Sequence, residues 1–268
     1  MANAFFKVPT AKNEPVRNYE PGSKERESLL NTYRELYNGH IDVTSVIDGE
    51  YIKTDNTKPL SPPHDHKHQI GTAHYVGKAE VEKAVEAALN AKSAWENMPW
   101  QDRAAIFLRA ADLLSGPWRN RLNASTMLAQ SKNVHQAEIE AACEFADFLR
   151  FNVEYMTQIY TEQPQSPDGM WNRMEHRALE GFVFAISPFN FTAIAGNLPM
   201  APALMGNTVV WKAADSQLYS AHFVMELFRA AGLPDGVINL VIVDGPTAGN
   251  VIFNHRDFAG LHFTGSTG

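Results

Sequence analysis

The chain has 268 residues, 44% of them hydrophobic and 20% charged, which is enough for one substantial core or two modest domains. A formal net charge of -7 argues against a nucleic-acid partner, because neutralising phosphates takes a surplus of Lys and Arg on one face. No apolar run approaches the roughly 20 residues of a membrane helix. A single cysteine, Cys143, excludes an internal disulfide and fits a reducing compartment.

The first 22 residues are polar and Pro-containing, and they read as an extended segment over the surface. They lack the apolar core of a signal peptide, and Glu14 and Glu20 do not suit a transit peptide, so the expected location is the cytosol. The spacing of Leu29, Leu30, Tyr33, Leu36 and Tyr37 predicts a helix over Lys24–Asn38. Two strand-like runs follow, Asp42–Lys53 and His68–Tyr75, separated by a turn-rich segment with Pro59, Pro62 and Pro63. From Lys78 the period turns helical, with Val81, Val85, Ala88, Leu89 and Trp95 on one stripe. A second helix is predicted over Gln101–Ser115, ended by Gly116-Pro117. A longer one runs from Val134 to Tyr160, with Ile139, Cys143, Ala146, Val153, Met156 and Tyr160 turned inward. Residues Thr161–Glu180 break the rhythm with Pro164, Pro167 and Gly169, then alternate like a two-stranded arm.

The last section changes character. GFVFAIS, NTVVWK and GVINLVIV are short apolar, β-branched runs, and LHFTG is a weaker fourth. Helix-like segments Thr192–Met205, Gln217–Ala231 and Thr247–Asn254 lie between them, so this section predicts an α/β fold with a parallel, doubly wound sheet. In such a sheet, ligands bind beyond the carboxyl ends of the strands.

Three places there carry possible chemistry. Asn190, after the first strand in Ser187-Pro188-Phe189-Asn190, either caps the next helix or offers an amide to a developing oxyanion. Lys212, with Asp215 three residues on, is either a solvated ion pair or a grip for ribose hydroxyls. The Gly/Ser/Thr turn Phe263–Gly268 is either a plain turn or a place where backbone N–H groups approach a pyrophosphate. His64, His66 and His68 read as a solvated loop rather than a metal site, since no second cluster completes one. Cys143 sits mid-helix among apolar residues and reads as core, not as a nucleophile.

Together, EGFVFAISPFNFTAIAGNLPMAPALMGNTVVWKAADS, AAGLPDGVINLV and the closing FTGSTG resemble the aldehyde dehydrogenase superfamily, over most of the chain. Within it, SPFNF, APALMGN, VVWKAAD and AEIEAACEFADFLRFN look most like the 1-pyrroline-5-carboxylate (L-glutamate γ-semialdehyde) dehydrogenases; many other members have Trp at the position of Phe189. The resemblance implies a Rossmann-type coenzyme domain, residues 1–160 and 180–268, with residues 161–179 as a bridging arm for a homodimer or larger homo-oligomer. It implies NAD as cofactor and a small aldehyde as substrate. Asn190 then matches the oxyanion donor, and Ser187, Lys212 and Asp215 match coenzyme contacts. Gly265, Ser266, Thr267 and Gly268 match the pyrophosphate turn, while Phe191 and Glu144 line the substrate channel. The Pro that commonly follows the coenzyme lysine is Ala213 here.

In the family a cysteine thiolate attacks the aldehyde, hydride passes to NAD, and a glutamate activates water. Both groups lie downstream of the FTGST turn, so the chain is expected to be the front half of such an enzyme and inactive by itself. Two rival readings stand beside it: another aldehyde dehydrogenase, such as one for succinate semialdehyde, and a non-catalytic module that binds NAD or a full-length partner.

Overall fold

The computed structural model describes residues 5–266. Helix α1 spans Lys24–Asn38, as its apolar spacing predicts, and Ser23 caps it by accepting from the Arg26 amide. The predicted run Asp42–Lys53 is not one strand. It divides into β1 (Ile41–Val43), β2 (Ser45–Ile47) and β3 (Glu50–Ile52). Asp48 and Gly49, at φ of 50° and 77°, fold β2 and β3 into a hairpin through the left-handed turn that Asp-Gly favours. Pro59 also departs from expectation. It lies inside β4 (Thr57–Leu60), which pairs antiparallel with β5 (Gly71–His74) in a three-stranded sheet ordered β1-β5-β4. As an edge strand, β4 tolerates a residue that cannot donate.

Helices α2 (Lys78–Glu96) and α3 (Trp100–Ser115) follow the predicted stripes. The sequence reading missed α4 (Arg119–Gln130). The predicted long helix starts as α5 (Val134–Ala137), passes through a π-helical stretch over Glu138–Glu144, and continues as α6 (Phe145–Thr161). Within the π-helical stretch Glu138 and Glu140 are buried and Ile139 is exposed, contrary to its predicted inward place. The predicted two-stranded arm has no strand: residues 162–180 are irregular, and Trp171 stands 90% exposed. They are held by side chains instead, Gln163 accepting from the Met174 amide and donating to its carbonyl.

The remaining strands are β6 (Phe182–Ile186), β7 (Val209–Lys212), β8 (Ile238–Val241) and β9 (Phe258–Phe263). Between them lie α7 (Thr192–Leu204), α8 (Leu218–Ala230) and α9 (Gly245–Ile252). All four strands run parallel in the order β8-β7-β6-β9, but the sheet is mixed, because β2 and β3 add antiparallel beyond β8. The strands read as unbroken apolar runs because both faces are covered. Val183, Ala185, Val209 and Trp211 pack into the larger core with α7, α8 and the α3/α4/α6 helices. Phe182, Phe184 and Val210 pack on the opposite face against α2 and α9.

Gly181, which leads into β6, has φ of 96°, and a Cβ there would meet the Asp257 carbonyl oxygen at 1.9 Å. Gly181→Ala is expected to destabilise the fold by about 2–4 kcal/mol through left-handed strain and backbone overlap. An unchanged Tm would refute this.

Candidate active site

The sheet runs outward from β6 in two directions, to β7 through α7 and to β9 through the later crossover. This makes the gap between β6 and β9 a topological switch point, where a crevice forms beyond the strand ends. Ile186 pairs with both Lys212 and Phe263, so the three strands end level and their loops converge. The Thr264 amide donates to the Ile186 carbonyl at 3.2 Å, which ties the turn after β9 to the end of β6.

Ser187 is buried. Its amide donates to the Lys212 carbonyl at 3.1 Å, and its hydroxyl accepts from Trp211 Nε1 at 3.0 Å. It therefore has a structural task that the sequence did not disclose, joining the ends of β6 and β7. Asn190 is exposed, and its side-chain amide makes no hydrogen bond among the described residues. It does not cap α7, whose N-cap residue is Phe191. The amide of Ala193, in the first turn, donates instead to Glu140 Oε2 at 3.1 Å.

Glu140 and its partner Lys132 were missed in the sequence. Lys132 Nζ lies 2.9 Å from Glu140 Oε1, donates to the Asn190 carbonyl at 2.5 Å, and stands 4.2 Å from the centroid of the Phe191 ring. Burial pushes the Glu140 carboxyl above the usual range, against the opposing pull of Lys132. Glu144, four residues on, is half-buried; burial and the Glu140 charge both raise it. One signal was readable: Asn133 and Gln136 form a capping box, each side chain accepting from the other's amide, and so fix where the helix after Lys132 begins.

Lys212 is mostly buried. Desolvation holds its ammonium below the ordinary lysine range, while Asp215 and Asp244 pull the other way. Asp215 Oδ1 is 3.9 Å from Lys212 Nζ, and Lys58 approaches Asp215 Oδ2 at 3.8 Å. Asp244 caps α9 by accepting from the Thr247 amide, and the next residue, Gly245, has open space where a Cβ would stand. Gly265 and Ser266 lie exposed after β9; Thr267 and Gly268 lie outside the described residues. A cation beside a carboxylate, with bare backbone at the start of α9 and after β9, fits an adenosine ribose and a pyrophosphate.

Cys143 is buried away from this crevice, with Arg119 Nη2 3.4 Å from its sulfur. Burial and the Glu138 charge push its thiol up to about 12. In the native protein at pH 8 it is expected to alkylate on the order of 10³-fold more slowly than in the unfolded chain. Equal labelling with and without denaturant would contradict that. The predicted histidine loop is engaged with its neighbours: His64 contacts Ser131 Oγ at 2.9 Å and Tyr33, and His68 stacks on Tyr37 at 3.9 Å. Among the described residues no group of His, Cys, Asp and Glu could hold a metal ion, and no helix is long and apolar enough to cross a membrane.

A model described as "Aldehyde dehydrogenase family" matches residues 51–268. A probable delta-1-pyrroline-5-carboxylate dehydrogenase of Schizosaccharomyces pombe is 49% identical over 267 residues, 98% of this chain and 48% of the relative. A mitochondrial delta-1-pyrroline-5-carboxylate dehydrogenase of Dictyostelium discoideum is 46% identical over 97% of this chain and 47% of its own length. The crystal structure of the Delta-pyrroline-5-carboxylate dehydrogenase from Mycobacterium tuberculosis bound with NAD superimposes with a TM-score of 0.98 at 51% identity, covering 99% of this chain and 50% of that one. The chain spans about half the length of the relatives it matches.

Proposed function

We propose that this chain, which belongs to the aldehyde dehydrogenase family, forms the coenzyme-binding half of an enzyme that oxidises L-glutamate γ-semialdehyde to L-glutamate with NAD, in proline breakdown. The carrying observation is the convergence of the Ser187–Phe191, Lys212–Asp215 and Thr264–Ser266 segments on the carboxyl ends of neighbouring parallel strands. Lys212 and Asp215 would take the ribose hydroxyls, and the Asp215 charge would repel a 2′-phosphate, favouring NAD over NADP. Gly265, Ser266, Thr267 and Gly268 would present backbone to the pyrophosphate, with Ser187 at their side. Bound NAD would accept the hydride released from the aldehyde carbon. The Asn190 amide would donate to the oxyanion that forms as the carbonyl is attacked. Phe191 and Glu144 would line the approach of the aldehyde.

Cys143 is too buried and too basic to be the attacking thiolate, so the nucleophile would come from outside these 268 residues. The 268-residue chain by itself is then inactive. Residues 161–179 would bridge subunits in a homodimer or larger assembly, while residues 1–160 and 180–268 build the coenzyme domain. The cytosol suits the single thiol; the mitochondrion, named for some relatives, is the alternative that cell fractionation separates.

The substrate is supported by relatives named for 1-pyrroline-5-carboxylate at 46–49% identity. A panel of aldehydes given to the whole gene product tests it. NADH should form fastest, by kcat/KM, with L-glutamate γ-semialdehyde. A preference for succinate semialdehyde would overturn the substrate while leaving the family intact.

A further inference from the structure

We propose that Lys132 is the positioning residue for the proposed oxyanion donor, locking the Asn190–Phe191 loop through three simultaneous contacts; the inference rests on the functional reading of Asn190 given above. The left-handed Ser131, at φ of 53°, ends α4 and turns the chain, and Lys132 follows it directly. From there Nζ meets the Glu140 carboxylate, the Asn190 carbonyl and the face of the Phe191 ring. Glu140 completes the clamp, because its other oxygen accepts from Ala193 in the first turn of α7. Thr192 is pinned as well, its hydroxyl bonded to Thr126 at 2.7 Å and to Gln130 at 2.9 Å.

None of these bonds engages the Asn190 side-chain amide, which is left to point elsewhere. A donor that must meet charge only as it develops gains from such rigidity, since its dipole is aimed before the reaction begins. An ammonium suits the task better than a planar guanidinium. It is a compact charge with three donors that can serve a carboxylate, a carbonyl and a ring from one point.

The test is a double-mutant cycle in the whole gene product, with Lys132→Met, Asn190→Ala and their combination. Lys132→Met should lower kcat by about 10²-fold, the scale of a misplaced catalytic group, with NAD affinity within about threefold of wild type. In the Asn190→Ala background the same change should cost less than about threefold more, because both act through one amide. Lys132→Arg should restore part of the loss. If Lys132→Met does not fold, Lys132→Met combined with Glu140→Gln removes the orphaned charge and carries the same comparison. Losses that add in the double variant, or NAD affinity that falls with kcat, overturn the inference alone. An Asn190→Ala enzyme with undiminished kcat overturns the functional reading of Asn190, and the inference with it.

Discussion

Replacing Asn190 by alanine is expected to lower kcat of the whole gene product about 10²–10³-fold, the usual cost of one oxyanion donor. The side chain stands exposed at the crevice beyond β6, and no hydrogen bond among the described residues competes for its amide. The cost falls in the transition state, so NAD affinity should stay close to wild type. Stability should also hold, since Asn190 neither caps α7 nor packs in the core; its structural contribution is the backbone carbonyl held by Lys132, which alanine retains. A variant that loses NAD binding in step with kcat would place Asn190 in the fold rather than in the chemistry.

The larger stability effect is expected at Arg119, far from the crevice. Its guanidinium, 1% exposed, pairs with Glu138, which is fully buried, and with Glu14. Glu138 also accepts from Tyr19 at 2.7 Å, Asn123 at 2.8 Å and the Arg17 amide at 2.8 Å. Glu14 and Arg17 belong to the extended N-terminal segment, so the cluster is what fastens that segment to α4 and the π-helical stretch. Arg119→Met leaves the Glu138 charge buried without a cation, at a cost of about 3–5 kcal/mol.

The pH dependence carries a distinct sign. Burial raises the Glu138 carboxyl, but the bonds from Arg119, Arg17, Tyr19 and Asn123 outweigh it and hold the group below 4.5. A depressed folded-state value adds stability above the unfolded value, and that stability is lost as pH falls through the folded one. Without Arg119 the folded value rises, and ionised Glu138 then opposes folding. The deficit in Tm should therefore be small in acid below the native Glu138 value, grow as pH rises through that value to about 4.5, and widen further toward neutrality. A deficit independent of pH would show that packing, not charge, is what Arg119 supplies.

The same cluster shows what the sequence could and could not reveal. The strands β6, β7 and β8 were legible because a sheet covered on both faces needs unbroken apolar runs. Helix α4 was not, because its buried residues mix Arg119, Asn123, Ser125 and Thr126 with Leu122, Ala124, Leu128 and Ala129, and the polar ones interrupt the stripe that a periodicity search looks for. The π-helical stretch hid in the same way: it buries Glu138 and Glu140 where a periodicity search expects apolar residues. Alternation in the arm suggested strands, yet Trp171 and Met170 are exposed and no ladder forms. At the site, Asn190, Lys212 and Asp215 could be found because strand ends mark where loops converge. Lys132 and Glu140 could not, since an ion pair across eight residues with a helix start between them leaves no spacing rule to read.

The measurement that bears most directly on the account is a crystal structure of the whole gene product soaked with NAD. The expected result is an adenosine ribose against Lys212 and Asp215 and a pyrophosphate at the Thr264–Ser266 turn, across the gap between β6 and β9. NAD bound at any other place, or no binding at saturating NAD, would contradict it.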